Sequence, residues 1–221
     1  MGAWVGLPIG TGGPDSGGHW RRGTTMGFDG ATWLNEPAAW RLEGDELHVV
    51  TDRATDRATD FWRETHYGFT RNTGHFLSVA TDGDFTAQLR VRARYRELYD
   101  QAGLMVRAAD DVWVKAGIEL SDGATMIGSV LTVGRSDWAT AAYADDPGDV
   151  WLRATVAAGV LRLQVSSDGV RWPLMRLSPF PVAPSYRVGP MCCTPERAGL
   201  DVVFSGFTHG APTGRALHDL S

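Results

Sequence analysis

Beyond about residue 60 the chain is a succession of short runs in which apolar and polar side chains alternate, separated by Gly, Asp, Asn and Pro. A period of two belongs to a β-strand with one face buried. Phe85 to Arg96 shows it most strictly: Phe85, Ala87, Leu89, Val91, Ala93 and Tyr95 fall on one side, Gln88, Arg90, Arg92, Arg94 and Arg96 on the other. The arginine row suits either an anionic ligand or a solvated face on which long stems cover the sheet. Further strands are expected at Glu46 to Thr51, His75 to Ala80, Gln101 to Arg107, Trp113 to Leu120, Met126 to Val133, Val150 to Val156, Val160 to Val165, Val170 to Leu177, Tyr186 to Met191 and Leu200 to Phe207. Asp-Gly pairs at 82–83, 122–123 and 168–169 fall between them, where tight turns need φ > 0. No long amphipathic helix interrupts the pattern. The chain therefore predicts an all-β fold, a two-sheet antiparallel β-sandwich.

At 221 residues a single domain of this class accommodates the whole chain. Residues 1–30 read as an irregular, Gly-rich N-terminal arm, 31–210 as the sandwich and 211–221 as a C-terminal tail. The Gly cluster lacks the strand, helix and Gly-Lys-Ser/Thr ending of a phosphate loop. A net charge of −5 gives no reason to expect nucleic acid. The start of the chain lacks a charged, apolar leader, and no run reaches the roughly 18 apolar residues of a membrane span. No membrane partner and a cytoplasmic location are the resulting expectations. The two cysteines, Cys192 and Cys193, are adjacent, a poor geometry for a disulfide and the wrong spacing for zinc. Both are expected to be buried thiols. Thr51 to Asp60 contains a short Thr-Asp-Arg-Ala duplication that lengthens a surface loop.

Of the 21 basic residues all but Lys115 are arginine. Lysine is the one of the two whose pKa shifts readily enough to serve as a base or nucleophile. Lys115 lies in a strand, and its register follows from putting apolar residues on one face. Pairing Val106 with Val114, Leu104 with Ala116 and Ala102 with Ile118 leaves the other face with Arg107 against Trp113, Met105 against Lys115, Gly103 against Gly117 and Gln101 against Glu119. The facing glycines read as a bare floor, approached by a ligand or by a packed loop aromatic. Lys115 and Glu119 flank it, about 13 Å apart at about 3.3 Å per residue.

Asp60 to Tyr67 adds a carboxylate, an indole, an imidazole and a phenol in eight residues. As a loop it could close over the Lys115 face with Trp62, His66 and Tyr67; as a structural corner it would turn these groups to the backbone. Trp138 is a further rim aromatic if it is not packed down. A glycosidase needs a second carboxyl beside Glu119. Asp60, Asp100 and Asp137 are available, and spacing favours none of them. No metal-ligand spacing and no Gly-x-Ser-x-Gly nucleophile elbow occurs, so no metal and no cofactor is expected.

Several stretches resemble one family: Asp100 to Arg107, Trp113 to Glu119, Thr59 to Phe69, Ser136 to Trp138, Val188 to Pro195 and Val202 to Phe207. It is a domain-of-unknown-function family with a concanavalin A-like lectin/glucanase fold, named after a fungal protein linked to enolase regulation. The resemblance implies a jelly roll whose concave sheet is the usual ligand face. The Glu-x-Asp-x-x-Glu strand of related glycan hydrolases is missing here. The expected function is binding of a carbohydrate or similar small polar molecule by Asp60, Trp62, Tyr67, Gln101, Gly103, Gly117 and Trp138. Two alternatives remain: an enzyme with Lys115 or His66 as base and Glu119 as acid, or a non-catalytic regulator of another enzyme, which leaves a protein partner open.

Overall fold

The computed structural model describes residues 25–52 and 59–221. Among them no helix forms, and seventeen strands, numbered β1 to β17 along the chain, build two large antiparallel sheets and one small hairpin. The first sheet runs β15 (Leu174–Pro179), β14 (Val160–Ser166), β13 (Asp149–Ala157), β8 (Phe85–Ala93), β17 (Asp201–Gly210), β4 (Glu46–Val50) and β3 (Ala39–Glu43), with β1 (Thr25–Met26) also on β17. The second runs β12 (Arg135–Ala142), β11 (Ala124–Val133), β10 (Val112–Ser121), β9 (Gln101–Ala109), β16 (Ser185–Cys193), β7 (His75–Asp82) and β2 (Thr32–Leu34). The hairpin pairs β5 (Phe61–Arg63) with β6 (Thr70–Asn72). The protein is the expected two-sheet β-sandwich.

Alternation builds the core. Phe85, Ala87, Leu89 and Val91 of β8 meet Leu104, Val106, Val114, Ile118 and Val188 of the second sheet in one cluster of buried side chains. The β9–β10 register agrees with expectation at every pair from Arg107↔Trp113 to Gln101↔Glu119. β10 and β11 are joined by Asp122 and Gly123, both at positive φ (52° and 76°). That is the geometry of a two-residue hairpin turn, and it explains the Asp-Gly pair.

The glycine pair has a different cause from the one expected. A Cβ on Gly103 would lie 1.9 Å from the Ala116 carbonyl oxygen, and one on Gly117 would lie 2.1 Å from that of Ala102. Only glycine permits this approach of the two backbones. The pair secures the β9–β10 contact and is not an open floor.

Other differences follow from exposure. β3 has all five residues exposed and β12 most of its eight, so neither shows the apolar alternation that marks a half-buried strand. The strand expected from Val170 begins at Leu174, because Asp168 accepts hydrogen bonds from the Val170 and Arg171 amides and holds a turn there. Of the arginine row, Arg90 makes a two-point bond to Asp149 and Arg92 pairs with Glu46, while Arg94 and Arg96 are exposed.

Residues 1–24 of the expected arm and 53–58 of the duplication lie outside the described residues. Thr25–Met26 departs from the irregular arm by pairing with Thr208 and His209 of β17. The tail lies against the outer face of the first sheet: the Thr213 amide donates to Thr86 Oγ1, and the Leu220 carbonyl accepts from the Trp172 amide.

Candidate functional site

The outer face of the second sheet is buried as well. Met105, Trp113, Val130, Met191 and Cys193 point away from the sandwich core and pack under Phe61 and Trp62 of β5. Phe61 is fully buried and meets Trp113 edge-on, ring centroids 6.2 Å apart. Polar bonds fix the hairpin at both ends. The Arg63 amide donates to Ser136 Oγ at 2.9 Å and its Nε to the Gly134 carbonyl at 2.9 Å, while Asn35 donates to the Asn72 and Gly74 carbonyls. The segment expected as a loop is therefore a short roof over β9, β10 and β11.

Between roof and sheet lies a cavity of about 230 Å³, lined by Asp60, Trp62, Tyr67, Phe69, Arg71, Tyr99, Gln101, Lys115, Glu119, Val130, Trp138, Pro195 and Glu196. Lys115 is at its base, 4% exposed. Its ammonium donates to Gln101 Oε1 at 2.6 Å and lies 3.4 Å from Asp60 Oδ1. Asp60 is thus the second carboxylate that spacing along the chain left open. Its Oδ1 also accepts from the Phe61 amide at 2.8 Å, and its carbonyl accepts from Thr73 and Gly74, so the residue is held by its own hairpin. The other two candidates are engaged elsewhere: Asp100 with Arg197 and Asp137 with Arg176.

The charges follow from burial and proximity. Burial opposes the Lys115 charge, but Asp60 and Glu119 outweigh it and hold the group above its ordinary range. Lys115 is a cation in this site. Glu119 is pushed up to about 7, first by burial and further by Asp60, with Lys115 acting against the shift. Glu119 is therefore poised to change protonation near neutrality. Burial pushes the Cys193 thiol well up, so it packs beneath the cavity as an uncharged group. Both cysteines are free and buried as expected, Cys192 in the sandwich core and Cys193 under the roof.

The walls are aromatic. Trp62 donates its indole N–H to the Thr65 carbonyl and stands edge-on to Tyr67 and Trp138, with centroids 5.5 and 6.3 Å away. Tyr67 is 44% exposed, stacks on Phe69 and shares a 3.1 Å hydroxyl bond with Tyr99. That bond and partial burial raise the Tyr99 phenol to about 12. Trp138 is half-buried on β12, edge-on to Trp62 and Tyr99.

Of the expected site residues, the structure gathers Asp60, Trp62, Tyr67, Gln101, Lys115, Glu119 and Trp138 around one space. Three fall outside it. His66 is exposed, at φ 61°, with its ring edge-on to Tyr67, and does not line the cavity. Gly103 touches strand backbone, and Gly117 borders only a crevice of about 10 Å³, room for a single water. Phe69, Arg71, Tyr99, Val130, Pro195 and Glu196 also line the space and were not expected there. Tyr99 sits at φ 62° between two strands, outside any alternating run, and Arg71 owes its place to the hairpin, with its guanidinium 4.3 Å from the centre of the Phe69 ring.

Fold and site together define a β-sandwich with an aromatic-walled, charge-based cavity roofed by a hairpin. The chain belongs to the family described as "Protein of unknown function (DUF1349)", matched over residues 33–212. It is 58% identical over 190 residues to "Regulation of enolase protein 1" of Saccharomyces cerevisiae, covering 86% of this chain and 94% of that protein. A crystal structure of a functionally unknown protein from Saccharomyces cerevisiae superposes with a TM-score of 0.81 at 56% identity, over 86% of this chain and all of the other. More distant likenesses concern the fold alone. The GH43 BlXynB protein of Bacillus licheniformis has a TM-score of 0.63 at 14% identity, over 87% of this chain and 40% of that one. The exoplasmic/lumenal domain of VIP36, in its Ca2+/Man3GlcNAc-bound form, has 0.53 at 10%, over 91% and 93%.

Proposed function

We propose that the protein is a binding module holding one sugar-sized polar molecule in the cavity under the β5–β6 hairpin. The observation that carries this reading is the composition of the cavity: a buried ammonium paired with Asp60, a second carboxylate from Glu119 in the lining, and Trp62, Tyr67, Tyr99 and Trp138 around them. Polyhydroxylated rings suit such a site, with their apolar faces against aromatic rings and their hydroxyls on fixed charged donors and acceptors. At about 230 Å³ the space falls below the roughly 300 to 1,000 Å³ of larger ligand sites, which favours a single ring over a chain. Calorimetric titration with a neutral hexose, an amino sugar and a uronic acid tests it. At least one is expected to bind, and Tyr67→Ala, which removes an exposed wall, should weaken it by roughly tenfold, about 1.4 kcal/mol. No binding of any of the three, or binding indifferent to Tyr67→Ala and to Glu119→Gln, would rule the reading out.

The catalytic alternative narrows to Glu119. Lys115 is held charged, which disfavours it as a base, and His66 does not line the cavity. The regulatory alternative draws on the name of the 58% identical yeast relative. Mixing the purified protein with the enolase of its own organism tests it: a stable complex or altered enolase turnover supports a protein partner, and neither effect removes that support.

A further inference from the structure

On the outer face of the first sheet, far from the roofed cavity in the strand order, two arginines lie on neighbouring strands. Arg153 on β13 is opposite Gln164 of β14 and Gln88 of β8, and Arg162 on β14 is opposite Thr155 of β13. Both alternate out of the core, because Leu152, Ala154, Leu161 and Leu163 occupy the inner positions. They therefore form a diagonal cross-strand pair, about 7 to 8 Å apart at the backbone and within reach of each other's guanidinium.

Both are over nine-tenths buried, 7% and 8% exposed. The partners they find are neutral. Arg153 Nε donates to Gln88 Oε1 and its guanidinium stacks 3.7 Å over Trp172. Arg162 Nε donates to Gln164 Oε1, and its Nη1 donates to the carbonyls of Arg215 and Ala216 in the tail. One buried nitrogen of each has no acceptor, Arg153 Nη1 and Arg162 Nη2. The acid whose charge reaches Arg162 is Asp219, itself engaged with Ser221 and 3.5 Å from Arg215. Arg153 has no carboxylate bonded to it among the described residues. Burial, with Arg215 and Arg162 adding to it, lowers the Arg153 pKa to about 10.

A buried cation without a counter-ion is unfavourable, and a buried N–H without an acceptor adds to that. Proteins accommodate such groups by pairing them. We propose that Arg153 and Arg162 form a binding site for one small oxyanion, which accepts hydrogen bonds from the two free nitrogens under the C-terminal tail. Guanidinium donors match phosphate, sulfate and carboxylate oxygens alike. Trp172 fixes the plane of one guanidinium, and the carbonyls of Arg215 and Ala216 fix the other.

The full-length protein, exchanged into chloride buffer, is titrated with inorganic phosphate and with sulfate by calorimetry. The ¹⁵N-labelled protein is followed at the arginine Nε–H resonances. One saturable site at millimolar anion or below is expected, shifting the Arg153 and Arg162 signals, and Arg153→Gln or Arg162→Gln should weaken it at least tenfold. A double Arg94→Ala, Arg96→Ala variant, which removes exposed arginines of the segment after β8, should bind as the parent does. No saturable binding would overturn the site, as would unchanged affinity in both glutamine variants or loss of binding in the Arg94 and Arg96 variant. If neither glutamine variant folds, the resonances of the unmodified protein decide: shifts confined to other arginines overturn it.

Discussion

Glu119 shows at the scale of one residue what the hairpin roof does to chemistry. Unroofed, it would be an ordinary strand carboxylate beside Gln101; roofed, it is 8% exposed and its pKa rises from 4.5 to about 7. The folded state therefore favours the protonated form. That contribution is complete below the ordinary value of 4.5 and is lost as pH rises through about 7. A shift of this size corresponds to about 3 kcal/mol. Urea denaturation across this range should show the stability of Glu119→Gln gaining on the parent by about that amount between pH 4.5 and 7. Parallel profiles would mean that water reaches Glu119 and relieves its burial. Lys115 and Glu119 were legible as a pair in the sequence because register alone sets them on one face. Their chemistry was not, since Asp60, which keeps Lys115 charged, is 55 residues away.

At the scale of the element, the β5–β6 hairpin was the hardest part of the site to read and does most to form it. Its two strands have three residues each and neither alternates: Phe61 and Trp62 are both buried, one against Trp113 and the other against the cavity aromatics. A segment that packs both successive side chains hides its strand from a period-two search. β12 hides for the opposite reason, being an edge strand with little buried on either side, so the sequence places no strand under Trp138. By contrast β8, β9 and β10 each bury one continuous apolar face, and their register could be written down in advance. The roof depends on Phe61, against which even a Cβ on Gly74 would collide, 2.3 Å from the ring. Phe61→Ala should cost about 3 to 5 kcal/mol in chemical denaturation, typical of a large buried ring lost from a packed cluster. A cost under about 1 kcal/mol would mean that the Arg63 and Asn35 bonds hold the hairpin without its apolar contact.

On the scale of the whole molecule the central strands of the second sheet are buried on both faces, yet the two faces are covered by unequal partners. One is closed by an entire eight-stranded sheet, the other by a hairpin of three-residue strands. Cooperative units of different size open with different free energies, and small ones open first. Cys192 and Cys193 sample the two faces from adjacent positions on β16, one inside the sandwich and one beneath the roof. Burial raises both thiols above their ordinary pKa, so neither is reactive until it is uncovered. Single-cysteine variants, with the other position replaced by Ser or Ala, separate the two in a thiol-labelling experiment under native conditions. Cys193 should label faster than Cys192 and with a weaker dependence on urea, because lifting the hairpin exposes far less surface than separating the sheets. Equal rates with equal urea dependence would mean that the roof opens only when the sandwich does, making the cavity as permanent as the core.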